Sequence, residues 1–190
     1  SHNRFTDYNV NTSGQIINNF SGVNGGVVSG SGVNAVTSTN IGGLVMANSN
    51  LRQAGRQATV IMNEVTSTSN SQIMGYTEIA GGRAQLLIVN PNGIACNGCG
   101  FINTSRMAMI AGRSDVDDAG NVSFNLNGEQ NSSSSPGGIP LITIEGLGLD
   151  ATRTDYTDII ASSVKLIAGV YGSENTEVSI KTGDDKYDLQ

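Results

Sequence analysis

The sequence predicts an all-β fold, specifically a parallel β-helix, and three observations lead to that prediction. Apolar and polar residues alternate along several short segments, which is the pattern of strands with one buried face. The centres of these segments recur at intervals of about 20 residues, a spacing typical of solenoid coils. Aromatic residues make up only 5% of the chain and tryptophan is absent, which suits a narrow interior lined by aliphatic side chains.

The composition is consistent with one β-rich domain. The 190 residues suffice for a single sizeable core, and charged residues make up only 14% of them. Glycine, asparagine, serine and threonine are abundant and favour turns over helix interiors. Recurrent apolar runs and low charge argue against disorder. A β-sandwich or jelly roll remains the alternative fold, although the strands of such a fold would recur more closely and join through tight hairpins.

The individual strands follow from the alternation. Their centres are expected near Val60, Leu87, Met107, Phe124, Ile142, Leu166 and Ile180. The predicted interior includes Val60, Ile88, Leu126, Ile144 and Leu166. Two stretches depart from the pattern: Ser21 to Thr39 is expected to form a hairpin or loosely paired strands, and Ser132 to Pro140 an exposed loop. Tyr156 to Ser163 is the one segment that could hold a helical turn.

Catalysis has little support in the sequence, so no enzyme is expected. The one histidine is His2, at the chain start, where a Ser-His-Asp or Cys-His arrangement is implausible. Paired carboxylates can cleave glycosides on β-helices. The available acids are scattered near turns and are interpreted as strand-end, cap or turn residues; they are Glu64, Glu78, Asp155 and Asp158.

Charge and hydropathy exclude several partners. The net charge is −6 with no basic patch, so no nucleic acid is expected. No apolar run approaches the roughly 20 residues of a membrane-spanning helix, so no stable membrane insertion is expected. No signal peptide is visible. Asp115 to Gly120 lacks the distal glutamate of a calcium loop and is interpreted as a turn, so neither metal nor cofactor is expected.

The densest cluster of turn and cysteine signals lies just after the apolar run Ala84 to Val89. Asn90-Pro91-Asn92-Gly93 is a β-turn by composition, because proline presets φ and Asn and Gly tolerate positive φ. Cys96-Asn97-Gly98-Cys99 allows three interpretations, namely a redox pair, half of a metal site, or a local disulfide fixing a corner. The last is favoured, because neither a βαβ setting nor four ligands are visible.

A family resemblance rests on these and other segments. NPNGIACNGCGFINTSR, Asn90 to Arg106, resembles the hallmark of the two-partner secretion domain, the N-terminal export domain of large bacterial exoproteins of the filamentous hemagglutinin, hemolysin and contact-dependent growth-inhibition class. Further similar blocks are Ser1 to Asn19, Ala47 to Leu51, Val60 to Ile94 and Ile144 to Gly169. The order and spacing of these blocks are specific to the family.

The resemblance implies a right-handed parallel β-helix with an N-terminal cap and extrahelical β-hairpins. It implies a transporter-recognition and folding motif at Asn90, Pro91, Asn92, Gly93 and Ile94, and a secondary motif at Asn48, Ser49, Asn50 and Leu51. Ser49 replaces the proline of the family's second motif, which leaves that turn less preorganised. Cys96 and Cys99 would pair with each other.

The resemblance also implies a function. Residues 1–190 would form a single secretion domain, the N-terminal fragment of a larger exoprotein whose signal peptide and C-terminal region are absent. The domain would pass through the periplasm and be recognised by the periplasmic POTRA domains of a TpsB-type outer-membrane β-barrel transporter. It would act as a monomer and nucleate β-helix folding outside the cell, its parent being an adhesin or a growth-inhibition toxin. The alternative is a self-standing surface adhesin or carbohydrate-binding β-helix.

Overall fold

The computed structural model describes residues 1–23, 27–31, 34–54, 56–126, 140–183 and 186–188. The elements in chain order are β1 (His2–Phe5), β2 (Gln15–Asn19), β3 (Val36–Thr39), β4 (Gly43–Met46), α1 (Ser49–Gln53), β5 (Val60–Val65), β6 (Ser71–Ile73), β7 (Tyr76–Gly81), β8 (Ala84–Val89), β9 (Ile94–Ile102), β10 (Thr104–Ile110), β11 (Arg113–Val116), β12 (Val122–Asn125), β13 (Leu141–Asp150), β14 (Tyr156–Ile160), β15 (Ser163–Leu166), β16 (Val170–Tyr171), β17 (Glu177–Lys181) and β18 (Lys186–Asp188).

Two parallel sheets form the body of the protein. The first runs in the order β1-β5-β8-β10-β14-β17, and the second in the order β15-β13-β9-β7-β2, with β6 joining β9 and β16 joining β13. Every pairing within these two sheets is parallel. The chain passes from one sheet to the other and back, and each circuit lies on the preceding one. This arrangement is a parallel β-helix, as the sequence predicts.

The interior of the β-helix is aliphatic. Inward-facing residues of the first sheet, such as Leu86, Ile88 and Met109, pack against Ile94 and Ile144 of the second, and all are buried. The predicted interior positions Ile88 and Ile144 are therefore confirmed. At the N-terminal end Phe5 and Tyr8 pack on this core with their ring centroids 5.3 Å apart. Two aromatic side chains of the first coil thus cover the start of the core.

The outer face of the first sheet is buried as well. Met62, Leu87 and Ala108 are neighbours across three strands and form a second apolar cluster outside the β-helix. The antiparallel sheet β11-β12-β18 covers this cluster with Phe124 and Leu126. This sheet contains an extrahelical hairpin, β11–β12, of the kind the resemblance implies.

Because of this covering sheet, two of the residues predicted to lie in the interior lie outside it. Val60 and Leu126 pack in the outer cluster, and Ile61 faces the interior in place of Val60. Alternation reports only that one face of a strand is apolar; it cannot tell which face points inward when both are covered. The strand at Phe124 is likewise antiparallel and lies outside the coils.

Leu166 is the third correction, since 51% of its surface is exposed. It ends β15, the last strand of the second sheet, and Val178 and Ile180 of β17 at the end of the first sheet are exposed too. Among the described residues no later coil lies on these strands. The predicted alternation is present here, but among the described residues no further strand covers Leu166, Val178 and Ile180.

Local structure departs from expectation in two further places. Tyr156 to Ile160 is strand β14, buried between β10 and β17, and not a helical turn. The described helix is instead α1, at Ser49–Gln53. Pairing with two neighbouring strands outweighs the weak helical tendency of this segment. That five-residue helix is too short to span a membrane, and the described part of the chain contains no other.

A second hairpin, β3–β4, stands outside the second sheet, and Ser29 bridges to Val36 on its other side. Part of the Ser21 to Thr39 stretch therefore pairs as expected, while residues 24–26 and 32–33 lie outside the described residues. The predicted loop at Ser132 to Pro140 also lies outside them except for Pro140, which is buried.

Candidate functional site

The Asn90 to Ile94 corner links the end of β8 to the start of β9 and is held by the side chain of Asn90. This side chain is fully buried; its Nδ2 donates to the Ser69 carbonyl at 3.0 Å and to Ser71 Oγ at 2.9 Å. Its Oδ1 accepts the backbone N–H of Asn92 at 2.8 Å. One amide group thus ties this corner to the preceding coil and shapes the turn itself.

The rest of the motif completes the corner. Asn92 Nδ2 donates to the Ser67 carbonyl at 2.7 Å, and Gly93 N–H donates to the Asn90 carbonyl at 3.2 Å. Positive φ occurs at Gly93, at 102°, and not at Asn92, which corrects the expectation for Asn92. A Cβ on Gly93 would also lie 2.7 Å from the Leu141 carbonyl oxygen, so glycine is required there.

Burial limits what this motif can contact. Pro91, Gly93 and Ile94 are buried together with Asn90, and Asn92 is half-buried. In the folded domain the corner therefore presents little surface to another protein. Its direct effect is to set the register between the coils on either side of it.

The second motif, Asn48 to Leu51, begins helix α1. Asn48 is the N-cap residue; its Oδ1 accepts the N–H of Asn50 at 3.1 Å, and its Nδ2 donates to the Asn18 carbonyl at 3.1 Å. Ser49 is the first helical residue, a position at which proline is preorganised for the helix. The replacement of proline by Ser49 thus removes a preset φ but leaves the capping bonds in place.

Cys96 and Cys99 form a disulfide in the structure. Both are fully buried in the interior cluster. The sequence analysis expected the disulfide to fix a corner of the coil, and this expectation is wrong, because both cysteines lie within β9. Gly98 between them has φ of 75°, and the pairing of β9 with β13 shifts register at this point. The disulfide closes a bulge whose two sulfurs project into the core.

The burial of this disulfide leads to a labelling prediction. Non-reducing mass spectrometry of the exported protein should find both thiols blocked, and alkylation should require a reductant together with unfolding. The Cys96→Ser/Cys99→Ser double variant should lose on the order of 2 kcal/mol of stability, since the closed loop is short. Rapid alkylation of the native protein, or insulin-reductase activity, would contradict a purely structural disulfide.

Two further asparagines hold corners that the sequence analysis did not assign. Asn19 is buried, and its amide bonds the Ala58 carbonyl, the Ala58 N–H and the Gly82 carbonyl at 2.8 to 2.9 Å. Asn103 adopts φ of 58° and donates to the carbonyls of Ile79 and Gly81. Asn103 directly follows strand β9, as Asn90 follows β8, and that shared position was the available signal, whereas Asn19 is the last residue of β2.

Each of the four acids considered for catalysis has its own structural partner. Asp155 forms a two-bond ion pair with Arg83 at 2.8 and 2.9 Å, and Asp158 bonds Arg106 Nε at 2.8 Å. Glu78 accepts the backbone N–H groups at the turn of the β3–β4 hairpin. Among the described residues, no group of three His, Cys, Asp or Glu side chains could hold a metal ion.

Glu64 joins three parts of the chain. Its carboxylate accepts the Ser114 N–H at 3.0 Å and Ser114 Oγ at 2.7 Å, and it lies 2.8 Å from His2 Nε2. Strand β1 and hairpin β11–β12 are thereby held against β5. Burial raises the pKa of Glu64, but the bonds from Ser114 and His2 outweigh burial and hold the pKa below its ordinary value of 4.5.

This lowered pKa predicts an acid-dependent loss of stability. A carboxyl group with a depressed pKa stabilises the folded state above its unfolded pKa, and the contribution disappears as pH falls through the folded pKa. The stability difference between wild type and Glu64→Gln should therefore shrink as pH falls below 4.5. Urea unfolding over that pH range measures it, with the exposed Glu174→Gln as control. If the stability difference between wild type and Glu64→Gln did not change with pH, Glu64 would not have a lowered pKa in the folded state.

Comparison with known proteins agrees with this geometry. The model of the TPS secretion domain family matches residues 1–190. The chain belongs to this family. The TPS domain is 40% identical over 176 residues to a protein named tRNA nuclease CdiA of Escherichia coli (strain STEC_O31), covering 93% of this chain and 5% of that protein. It is 34% identical over 191 residues to filamentous hemagglutinin of Bordetella pertussis, and the match covers 99% of this chain and 4% of that protein.

A solved structure shares the fold. The TPS domain superposes on the crystal structure of the filamentous hemagglutinin secretion domain with a TM-score of 0.76 and 33% identity. The match covers 99% of this chain and 55% of the solved one. By contrast, the chain spans only about a twentieth of the length of the two curated relatives, CdiA and filamentous hemagglutinin.

Proposed function

We propose that this TPS domain is a non-catalytic secretion and folding module at the N-terminus of a large exported protein. It is recognised in the periplasm by the POTRA domains of its cognate outer-membrane transporter, as a single copy, and it reaches the cell surface through that transporter. The parent protein is a hemagglutinin-like adhesin or a contact-dependent growth-inhibition toxin. The family match and the two named relatives support this proposal.

The C-terminal end of the β-helix supports the folding part of the proposal. Val178 and Ile180 pair in register with Thr157 and Ile159, so they continue the two rows of inward-facing side chains. They are nevertheless 38% and 44% exposed. A coil cannot bury its own apolar face, and the next coil of a longer chain would cover these residues. The folded domain would therefore template the coil that follows it.

The burial of the Asn90 corner bears on whether the transporter contacts this motif before or after the domain folds. Because the motif has little surface once the coils have stacked, the transporter would meet it before folding is complete, and the corner would then close outside the cell. The TPS domain fused to a reporter should appear outside the cell only when the cognate transporter is present. The purified periplasmic domains of that transporter should bind the TPS domain while it is unfolded, and binding should weaken once the domain has folded.

Two outcomes would reject the proposal. One is a fusion that stays in the periplasm although the transporter is present and functional for another substrate. The other is binding of the TPS domain to an array of glycans with no binding to the transporter, which would indicate a self-standing adhesin.

A further inference from the structure

Cys96 and Cys99 lie where solvent does not reach them in the folded domain. Both side chains are 0% exposed and belong to the interior cluster of the β-helix. Cys96 lies in register between Ile73 of β6 and Ile144 of β13. Cys99 pairs with Leu149 of β13. The coil before β9 and the coil after it therefore both cover the two sulfurs.

Forming the disulfide requires access that this burial denies. Disulfides form by thiol–disulfide exchange, in which a thiolate attacks a sulfur of the oxidant and a mixed disulfide joins the two molecules. In the folded domain that mixed disulfide would have to lie inside a close-packed interior, between neighbouring coils. The oxidant therefore has to act before β13 is laid on β9.

The ring is local, so an unfolded chain can close it. Only two residues separate the cysteines, and no other part of the chain is needed. Their Cα atoms are 5.4 Å apart, whereas three residues of extended chain span about 10 Å. The ring thus shortens an extended chain by about 5 Å and ties no distant segments together. An unfolded chain can carry it through a transporter as a single strand.

The ring also fixes the bulge on which the following coil lies. Gly98 of β9 lies opposite residues 146–148 of β13. Asn97 Oδ1 accepts the Leu147 N–H at 3.1 Å. A Cβ on Gly146 would overlap Asn97 Oδ1, so β13 fits closely against this bulge. An oxidised chain therefore begins folding with this part of the register already set.

We propose that Cys96 and Cys99 are oxidised on the unfolded chain in the periplasm, by a protein oxidant with a reactive disulfide, before the chain enters the transporter. The periplasm is an oxidising compartment in which such exchange occurs. This inference rests on the proposed function, in which the transporter meets the chain before folding is complete. It adds a covalent modification and the class of partner that makes it.

The exchange proceeds in two steps. The thiolate of one cysteine attacks the disulfide of the oxidant, which forms a mixed disulfide and releases the first oxidant thiol. The thiolate of the other cysteine then attacks the chain's sulfur in that mixed disulfide, which forms the Cys96–Cys99 bond and releases the second thiol. The chain loses two electrons and two protons, and the oxidant is reduced to its dithiol.

The first test compares oxidation of the folded and the unfolded domain. Reduced TPS domain is either kept unfolded in urea or refolded with reductant that is then removed. Both samples receive oxidised glutathione and are quenched with acid for mass spectrometry. The unfolded chain should form the Cys96–Cys99 bond at least about tenfold faster than the folded one. Equal rates would overturn the inference. A reduced chain that cannot refold by circular dichroism would support it, because oxidation then has to come first.

The matched control is the variant Cys96→Ser/Cys99→Ser/Leu147→Cys, which places one thiol on the surface of the same bulge. Leu147 is 81% exposed, so the rate of mixed-disulfide formation at this position should differ by less than about twofold between the two states. A tenfold difference in the control would assign the effect to urea and overturn the inference.

The second test examines chains held in the periplasm of cells that lack the cognate transporter. After acid quenching and alkylation, mass spectrometry should find Cys96 and Cys99 of these chains already joined. Free thiols in the periplasm, with the disulfide present only in protein exported by cells that have the transporter, would overturn the inference and leave the proposed function standing. If the chain leaves the cell without the transporter, the proposed function itself fails.

Discussion

Replacing Ile88 by alanine should lower the free energy of unfolding by about 2–5 kcal/mol, the range expected for truncating a fully buried aliphatic side chain. Ile88 is fully buried inside the β-helix, and its strand β8 has paired neighbours on both sides. Truncation leaves a cavity that the stacked coils cannot close without changing their spacing. Urea unfolding followed by circular dichroism measures the change.

The matched control for this prediction is Leu166→Ala. Both residues lie in strands of the β-helix, and both belong to the apolar side of an alternating segment. Leu166 is 51% exposed, however, so its truncation should change stability by less than about 0.5 kcal/mol. Equal losses at the two positions would contradict the described interior.

Replacing Asn90 by isoleucine should reduce secretion of a fused reporter more than any other single change in the two motifs. The substitution removes four hydrogen bonds and leaves buried partners such as Ser71 Oγ unsatisfied, each at a cost of about 1–3 kcal/mol. The register between successive coils depends on these bonds. Extracellular reporter is compared with wild type at matched periplasmic levels.

The other motif positions provide the comparison. Asn92→Ile should also reduce export, because the bond to the Ser67 carbonyl and the contact with Asn90 are lost. Asn48→Ile should have a smaller effect, since it removes a half-exposed helix cap worth about 1 kcal/mol. Normal export of the Asn92 variant would contradict the role of the corner, and a larger loss at Asn48 would reverse the order of the two motifs.

The candidate site could be predicted in part. The turn at Asn90 to Gly93 follows from proline and glycine chemistry, which is local to four residues. The bonds that give the corner its effect join Asn90 to Ser69 and Ser71, about 20 residues earlier in the chain. Nothing in the sequence specifies that register before the coils are stacked. The hydrogen bonds of Asn19 and Asn103 likewise reach residues of other coils and could not be predicted from the sequence.

By itself the sequence determined the fold class, the family, the turn at Asn90 to Gly93 and the pairing of the two cysteines. These depend on alternation, composition and local turn chemistry, all of which act within a few residues. Only the tertiary structure decided which side of each strand is buried. Met62 and Leu87 point outward yet are buried because the sheet β11-β12-β18 covers them, whereas Leu166 has the correct pattern and no covering coil. Burial is a property of what lies against a strand, and in a β-helix the covering residues come from another coil or hairpin.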